Sequence, residues 1–226
     1  MKVIIIGAGG HARVVADALV SRIQLGEKHE VVGFLDDNED LRNRAPLGIR
    51  ILGRISEIGN FEHDAVVVGI GDNLTRKKIY QELKSKGENI MTVIHPRAIV
   101  ATDAIIGDGS VCFAGTVMNS GADIGSNVII NTGATVDHDS VIGAHSHICP
   151  GVHLGGGVKV GEGAFIGIGS SIIHNRTIGN WAIVGSGAVV IRDVSPFQTV
   201  VGVPAQPLPE QLTKNTPDDR DLVFDR

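Results

Sequence analysis

Apolar side chains recur at every sixth residue through the second half of the chain. From Ile106 the series runs through Cys112, Met118, Ile124, Ile130, Val136, Ile142, Ile148, Leu154, Val160, Ile166, Ile172, Ile178, Val184 and Val190, fifteen positions without a break. The residue four places after each, from Ser110 to Ala188, is Ser, Thr, Ala or Val, with Arg176 the one exception. Each hexad therefore offers one large and one small inward side chain, which is the mark of a solenoid. Gly107, Gly125, Gly143, Gly161 and Gly179 stand eighteen residues apart, so three hexads close one coil and about five coils stack along an axis. With about 4.8 Å between strands, the prism would be about 25 Å long.

The first hundred residues follow a different rhythm. Residues 3–6 form an apolar run that enters Gly7-Ala8-Gly9-Gly10-His11, after which Ala12, Val15, Ala16 and Leu19 recur at helical spacing. A second strand is predicted over 31–35, ending in Asp36-Asp37-Asn38, and a third over 65–70, ending in Gly71-Asp72-Asn73. A helix from about 75 to 86 and a fourth strand over 90–94 follow. Strands alternating with helices predict a small Rossmann-like parallel sheet, whose ligands gather at the carboxyl ends of the strands. The predicted organisation is an α/β domain over 1–96, a parallel β-helix over 97–205 and a tail over 206–226 that frays beyond Pro217.

Composition narrows the partners. Aromatic residues make up 4% of the chain and glycine contributes 30 residues, as suits a narrow coil with no room for rings at its axis. The net charge of -5 comes without a basic block, so neither nucleic acid nor an anionic membrane is expected as a partner. The longest apolar runs are far short of a membrane span, and the N-terminus enters a strand directly rather than a leader, so a cytoplasmic protein is expected. Cys112 and Cys149 are too few and too separated for a disulfide scaffold or a zinc ribbon.

Gly7, Gly9 and Ala12 satisfy a G-x-G-x-x-G/A pattern, in which bare backbone around Gly9 and Gly10 lets N–H groups approach a phosphate at a helix N-terminus. The same residues also suit a plain strand-to-helix turn. Fewer than one hundred residues leave no second mononucleotide half, so a nucleotide-linked ligand fits better than dinucleotide redox chemistry. Asp36 and Asp37 are placed to accept from ribose hydroxyls or a base edge, or else to cap a solvated turn. Asn73 and His11 are further candidates for contact with that ligand.

In the solenoid, His138 follows the core position Val136 by two residues, so its ring points outward between Asp137 and Asp139. It is either a surface histidine or a general base whose tautomer a flanking carboxylate fixes. Gly156, eighteen residues on and within a glycine triplet, lies one coil above it and would offer a bare N–H to a carbonyl beside the base, or merely turn a tight corner. His147 is half a coil from His138, so any cooperation between them must cross a subunit interface. A zinc site built from His138, His145, His147 and His153 of neighbouring prisms is a competing reading, but nothing in their spacing sets three on one face, and no metal is expected.

The hexads, the Gly-x-Gly-Gly-His turn, the Asp36-Asp37 strand end, the Val-Asp-His-Asp run around His138 and the closing Gly-Val-Pro-Ala resemble a known family over nearly the whole chain. It comprises the hexapeptide-repeat sialic acid O-acetyltransferases and nucleotide-linked 4-amino-sugar N-acetyltransferases. The resemblance implies a left-handed β-helix, a homotrimer with active sites between subunits, acetyl-CoA as co-substrate and a nucleotide-linked amino sugar on the N-terminal domain. Residue by residue, it makes His138 the general base, Asp139 its orienting acid, His147 a histidine facing the acyl donor and Gly156 the donor to the acetyl carbonyl. Ile166, Gly167 and Gly185 fall on coils that hold pantetheine and adenosine; Gly9, Gly10, His11, Asp36, Asp37 and Asn73 fall where the nucleotide sugar is held. Gln206 stands where many relatives carry a Lys or Arg after Pro-Ala. The reading that follows is N-acetylation of the C4 amine of a nucleotide-linked 4-amino-4,6-dideoxy sugar. Its alternatives are a sugar O-acetyltransferase, a metal-dependent lyase or hydratase on the same prism, and a non-catalytic trimeric scaffold.

Overall fold

A computed structural model describes residues 1–209. The N-terminal sheet is parallel, in the spatial order β3 (Ile51–Gly53), β2 (Glu30–Leu35), β1 (Lys2–Ile6) and β4 (Ala65–Val68). Its residues alternate between two apolar layers. Val3, Ile5, Phe34 and Val67 pack on α1 (Gly10–Gln24), while Ile4, Ile6, Leu35, Val66 and Val68 pack with Leu83 of α2 (Asn73–Ser85) and with Ile58. Burial on both faces explains why these strands read as unbroken apolar runs. The short β3 lay outside the sequence expectation, because it follows two 3-10 turns and is too brief to show a period.

The predicted fourth strand over 90–94 is divided between the domains. Ile90 makes an isolated bridge to Val66, whereas Val93–Ile94 pairs with Val111–Cys112 and opens the prism. Two-residue strands then repeat with a register of eighteen, as in Thr135 opposite His153. Among the described residues they form three parallel-stranded faces of five, eight and six strands, the eight-stranded one closed by an antiparallel pairing of Thr199–Val201 with Gln206–Pro207. Every member of the hexad series is buried except Ile106, which packs against the same core from the end of the coil. Small polar residues at the second inward position are tied to corner carbonyls; Ser110 Oγ donates to Gly125 O at 2.8 Å and Ser146 Oγ to Gly161 O at 2.8 Å. The expected fraying beyond Pro217 lies outside the described residues.

The domains share a core. Helix α1 lies between the parallel sheet and the eight-stranded face, where Val111, Phe113 and Ile129 join Ala12, Val15 and Leu19. That docking covers one face of the prism, while His138 occupies the corner between the other two.

Candidate active site

A cleft of about 560 Å³ opens at the carboxyl ends of β1, β2 and β4, lined by Gly9, Gly10, His11, Asp36, Asp37 and Ile55, with Ile70 and Gly71 on the far wall. Gly7 turns the chain out of β1 at a φ of +94°, a conformation that side chains resist. Asp36 holds the turn in place: its Oδ2 accepts from Ala8 N at 2.6 Å and its Oδ1 from Asn38 N at 2.8 Å. Asp37 Oδ1 accepts from Ile55 N at 3.0 Å. The two carboxylates thus shape the wall as well as facing the cleft. His11 is half-buried, with its Nε2 shielded from solvent and unpartnered, and its ring stands edge-on to Phe113 at 5.3 Å between centroids. Burial first, and the Arg76 charge second, push its pKa down to about 3, so the imidazole is neutral.

Asn73 does not face this cleft. Its amide donates to the Gly163 and Ala164 carbonyls at 3.0 and 3.2 Å, and its oxygen accepts from Arg76, so it fastens α2 to the prism.

On the prism, His138 Nδ1 donates to Asp139 Oδ2 at 2.8 Å, which leaves Nε2 with its lone pair in the neutral ring. Asp137 Oδ1 accepts from His138 N at 2.8 Å and from Asn119 Nδ2 at 2.7 Å, holding the segment from the other side. The bond to Asp139, and then the charge of Asp137, raise the His138 pKa. The side chain is 62% exposed. Gly156 lies against the ring: a β-carbon there would stand 2.5 Å from Nε2. Its N–H has no acceptor among the described residues, although its carbonyl accepts from Asn175 N. A base with a free nitrogen beside a free peptide donor is an arrangement suited to acyl transfer.

The other acyl-donor candidates separate. His147 is buried under the N-terminal domain, its Nε2 3.0 Å from Asn131 Nδ2 and its ring 6.1 Å from that of His11. It does not share a surface with His138 of the same chain, because it lies on the covered face. Ile166 is 0% exposed and points into the prism core, so its side chain cannot reach a ligand; Ile168, one turn position on, is 58% exposed. Gly167 and Gly185 stack at one corner, where β-carbons would meet Ser186 N at 2.6 Å and Val201 Cγ1 at 2.7 Å. An apolar groove of about 420 Å³, with no hexad signal to announce it, opens on the same coils between Leu74, Phe165, Trp181, Ile183 and Phe197. Among the described residues no three His, Cys, Asp or Glu side chains are grouped to hold a metal ion. No helix among them is long and apolar enough to cross a membrane.

Residues 2–83 match the PglD N-terminal domain family and residues 157–192 the bacterial transferase hexapeptide (six repeats) family. The acetyltransferase domain of PglB from Neisseria gonorrhoeae superposes with a TM-score of 0.84 at 37% identity, over 92% of this chain and 99% of that one. PerB from Caulobacter crescentus, solved with CoA and GDP-perosamine, gives a TM-score of 0.84 at 37% identity, over 92% of this chain and 97% of that one. UDP-N-acetylbacillosamine N-acetyltransferase from Bacillus subtilis is 34% identical over 120 residues, which are 50% of this chain and 51% of the relative, so the match spans about half of that protein's length. By sequence and by fold, the chain belongs to the hexapeptide-repeat sugar acetyltransferases, in the branch of the nucleotide-linked amino-sugar N-acetyltransferases.

Proposed function

We propose that the protein transfers the acetyl group of acetyl-CoA directly to the C4 amine of a nucleotide-linked 4-amino-4,6-dideoxy sugar. The observation that carries this reading is the contact of His138 with Gly156, a free imidazole nitrogen beside a peptide N–H that has no acceptor. His138 Nε2 takes the proton from the amine as its nitrogen attacks the thioester, Asp139 holds the ring and steadies the imidazolium, and Gly156 N–H donates to the developing oxyanion. No covalent enzyme intermediate is required, since holding both substrates together supplies a large share of the rate.

The residues present fit both substrates. Gly9, Gly10, His11, Asp36 and Asp37 hold the nucleotide at the mouth of the cleft, where the buried His11 Nε2 still lacks a partner. The apolar groove beside Phe165 and Ile183 suits a pantetheine arm, with Ile168, Gly167 and Gly185 on the same coils. The nucleotide cleft lies over one face of the prism and His138 at the opposite corner, so one chain does not complete the site. A homotrimer that sets each cleft against a neighbour's His138 resolves this, and would also bring the partner's corner near the covered His147 face. The same reading places the enzyme in the cytoplasm, where nucleotide sugars and acetyl-CoA are made.

Acetyl-CoA and a panel of nucleotide-linked 4-amino sugars, with products weighed by mass spectrometry, test the reaction. The wild type is expected to add one acetyl group to nitrogen, and His138→Ala to lose about a hundredfold or more in turnover while keeping its fold. Full turnover in that variant would remove His138 from the mechanism, and acetylation at oxygen would favour the sialic acid type of acceptor.

A further inference from the structure

Helix α2 carries the run Arg76-Lys77-Lys78. Lys77 reaches Glu162 of the prism at 2.5 Å, whereas Arg76 is 1% exposed, among the largest fully buried side chains. A buried guanidinium ordinarily takes a carboxylate partner, since a charge removed from water without one is costly. Arg76 bonds to none. Its Nε donates to Asn127 O at 3.2 Å, and its Nη1 to Ile70 O at 3.2 Å and Gly71 O at 2.9 Å. Its Nη2 donates to Asn73 Oδ1 at 2.8 Å, His145 O at 2.7 Å and Ser146 O at 3.2 Å. The five N–H groups of the side chain are all used, and every acceptor is neutral.

These acceptors belong to two bodies. Ile70 and Gly71 form the wall of the nucleotide cleft, while Asn127, His145 and Ser146 belong to prism coils, the last two immediately before His147. The planar fork therefore clamps the substrate-binding loop of one domain to the backbone of the other. An apolar residue would fill the same space but could not bond five carbonyls at fixed angles. The Asp72 carboxylate acts on Arg76 only through space, without bonding to it, and the charge is felt by the neighbours: after burial, Arg76 is the next cause that keeps both His11 and His147 neutral.

We infer that Arg76 is a positioning residue for the acceptor, fixing the Ile70 and Gly71 wall of the nucleotide cleft to the prism so that the bound sugar is delivered at a set height along it. This rests on the nucleotide-sugar reading of the cleft. It acts through backbone carbonyls and touches neither substrate.

The test compares the full-length wild type with Arg76→Lys, Arg76→Met and Glu162→Gln, the last loosening the same interface without touching the cleft wall. Steady-state kinetics should show an acceptor KM raised about tenfold or more in both Arg76 variants, with the acetyl-CoA KM changed by less than about twofold. The lysine variant, which keeps the charge and some donors, should lie between Met and wild type, and Glu162→Gln should match the wild type in both constants. An unchanged acceptor KM, a parallel rise of both KM values, or unfolding of both Arg76 variants would make Arg76 a fold residue only and overturn the assignment. If the wild type acetylates no nucleotide sugar, the functional reading fails instead. Calorimetry with GDP, UDP and dTDP then decides about Arg76: weaker binding in the variants supports it, and equal or absent binding overturns it.

Discussion

His138 and Gly156 touch across one coil of the prism, close enough that a β-carbon on the glycine would stand 2.5 Å from the imidazole Nε2. The bare α-carbon is what leaves space for the ring. Gly156→Ala should push the imidazole aside, since its side chain is exposed and free to swing, at little expense to the coil. A fall of about a hundredfold in kcat with an unchanged melting temperature is expected. Wild-type kcat in this variant would show that the contact plays no part in turnover.

The pH profile reports on Asp139. Its hydrogen bond is the largest cause raising the His138 pKa, and a general base works only when unprotonated. In the wild type kcat/KM should therefore rise with pH through a raised imidazole pKa. Asp139→Asn should move that limb to lower pH and reduce the plateau at least about tenfold, because the ring loses the partner that fixes its tautomer. A limb that stays in place would detach Asp139 from His138 titration.

Three buried or half-buried imidazoles set the acid limit of stability. Burial lowers His11 to about 3 and His145 to about 4 from an ordinary 6.5, and drives His147 well below that value. Between the depressed and ordinary values the unfolded chain binds protons that the native state refuses, so stability is intact above pH about 6.5 and falls as pH drops below it. Thermal unfolding followed from pH 7 to 4.5 should show this decline. His11→Gln, which cannot take up a proton, should flatten it; an equally steep decline would place the acid sensitivity elsewhere.

Ile166 and Ile168 should separate core from surface. Ile166→Ala empties part of a fully buried site and is expected to cost about 2–5 kcal/mol in denaturant unfolding. Ile168→Ala, at an exposed corner, should change stability by less than about 0.5 kcal/mol while raising the KM for acetyl-CoA. Equal destabilisation by the two would contradict the phase of the coil.

Much of the geometry of the proposed site was legible because it is local. A period of six placed His138 outward beside its carboxylates and Gly156 one coil away, and the strand-turn-helix pattern placed Gly9, Gly10, His11, Asp36 and Asp37 on one cleft. Assigning Ile166 to a ligand ignored that same period, which marks it as core. Asn73 was assigned to the ligand and Arg76 was missed for a different reason: a polar residue at a strand-to-helix turn looks ligand-facing and an arginine in a basic run looks solvated, and only the prism packed against α2 turns both inward.

The hexad repeat by itself determined the prism, since inward and outward phase follow from how few residues make each turn, and the apolar alternation of the first domain determined its sheet. Which outward face would be covered was decided only in three dimensions. Ile129 and His147 hold the same outward phase as the exposed Ile105 and Val141 on another face, yet they are buried, as is Phe113 on the other side of its core position, because α1 and α2 dock there. Docking joins residues distant in the chain through surfaces that no local period encodes, so the burial of His147 and Arg76, the shielding of His11 Nε2, and the neutrality of both imidazoles belong to the tertiary structure alone.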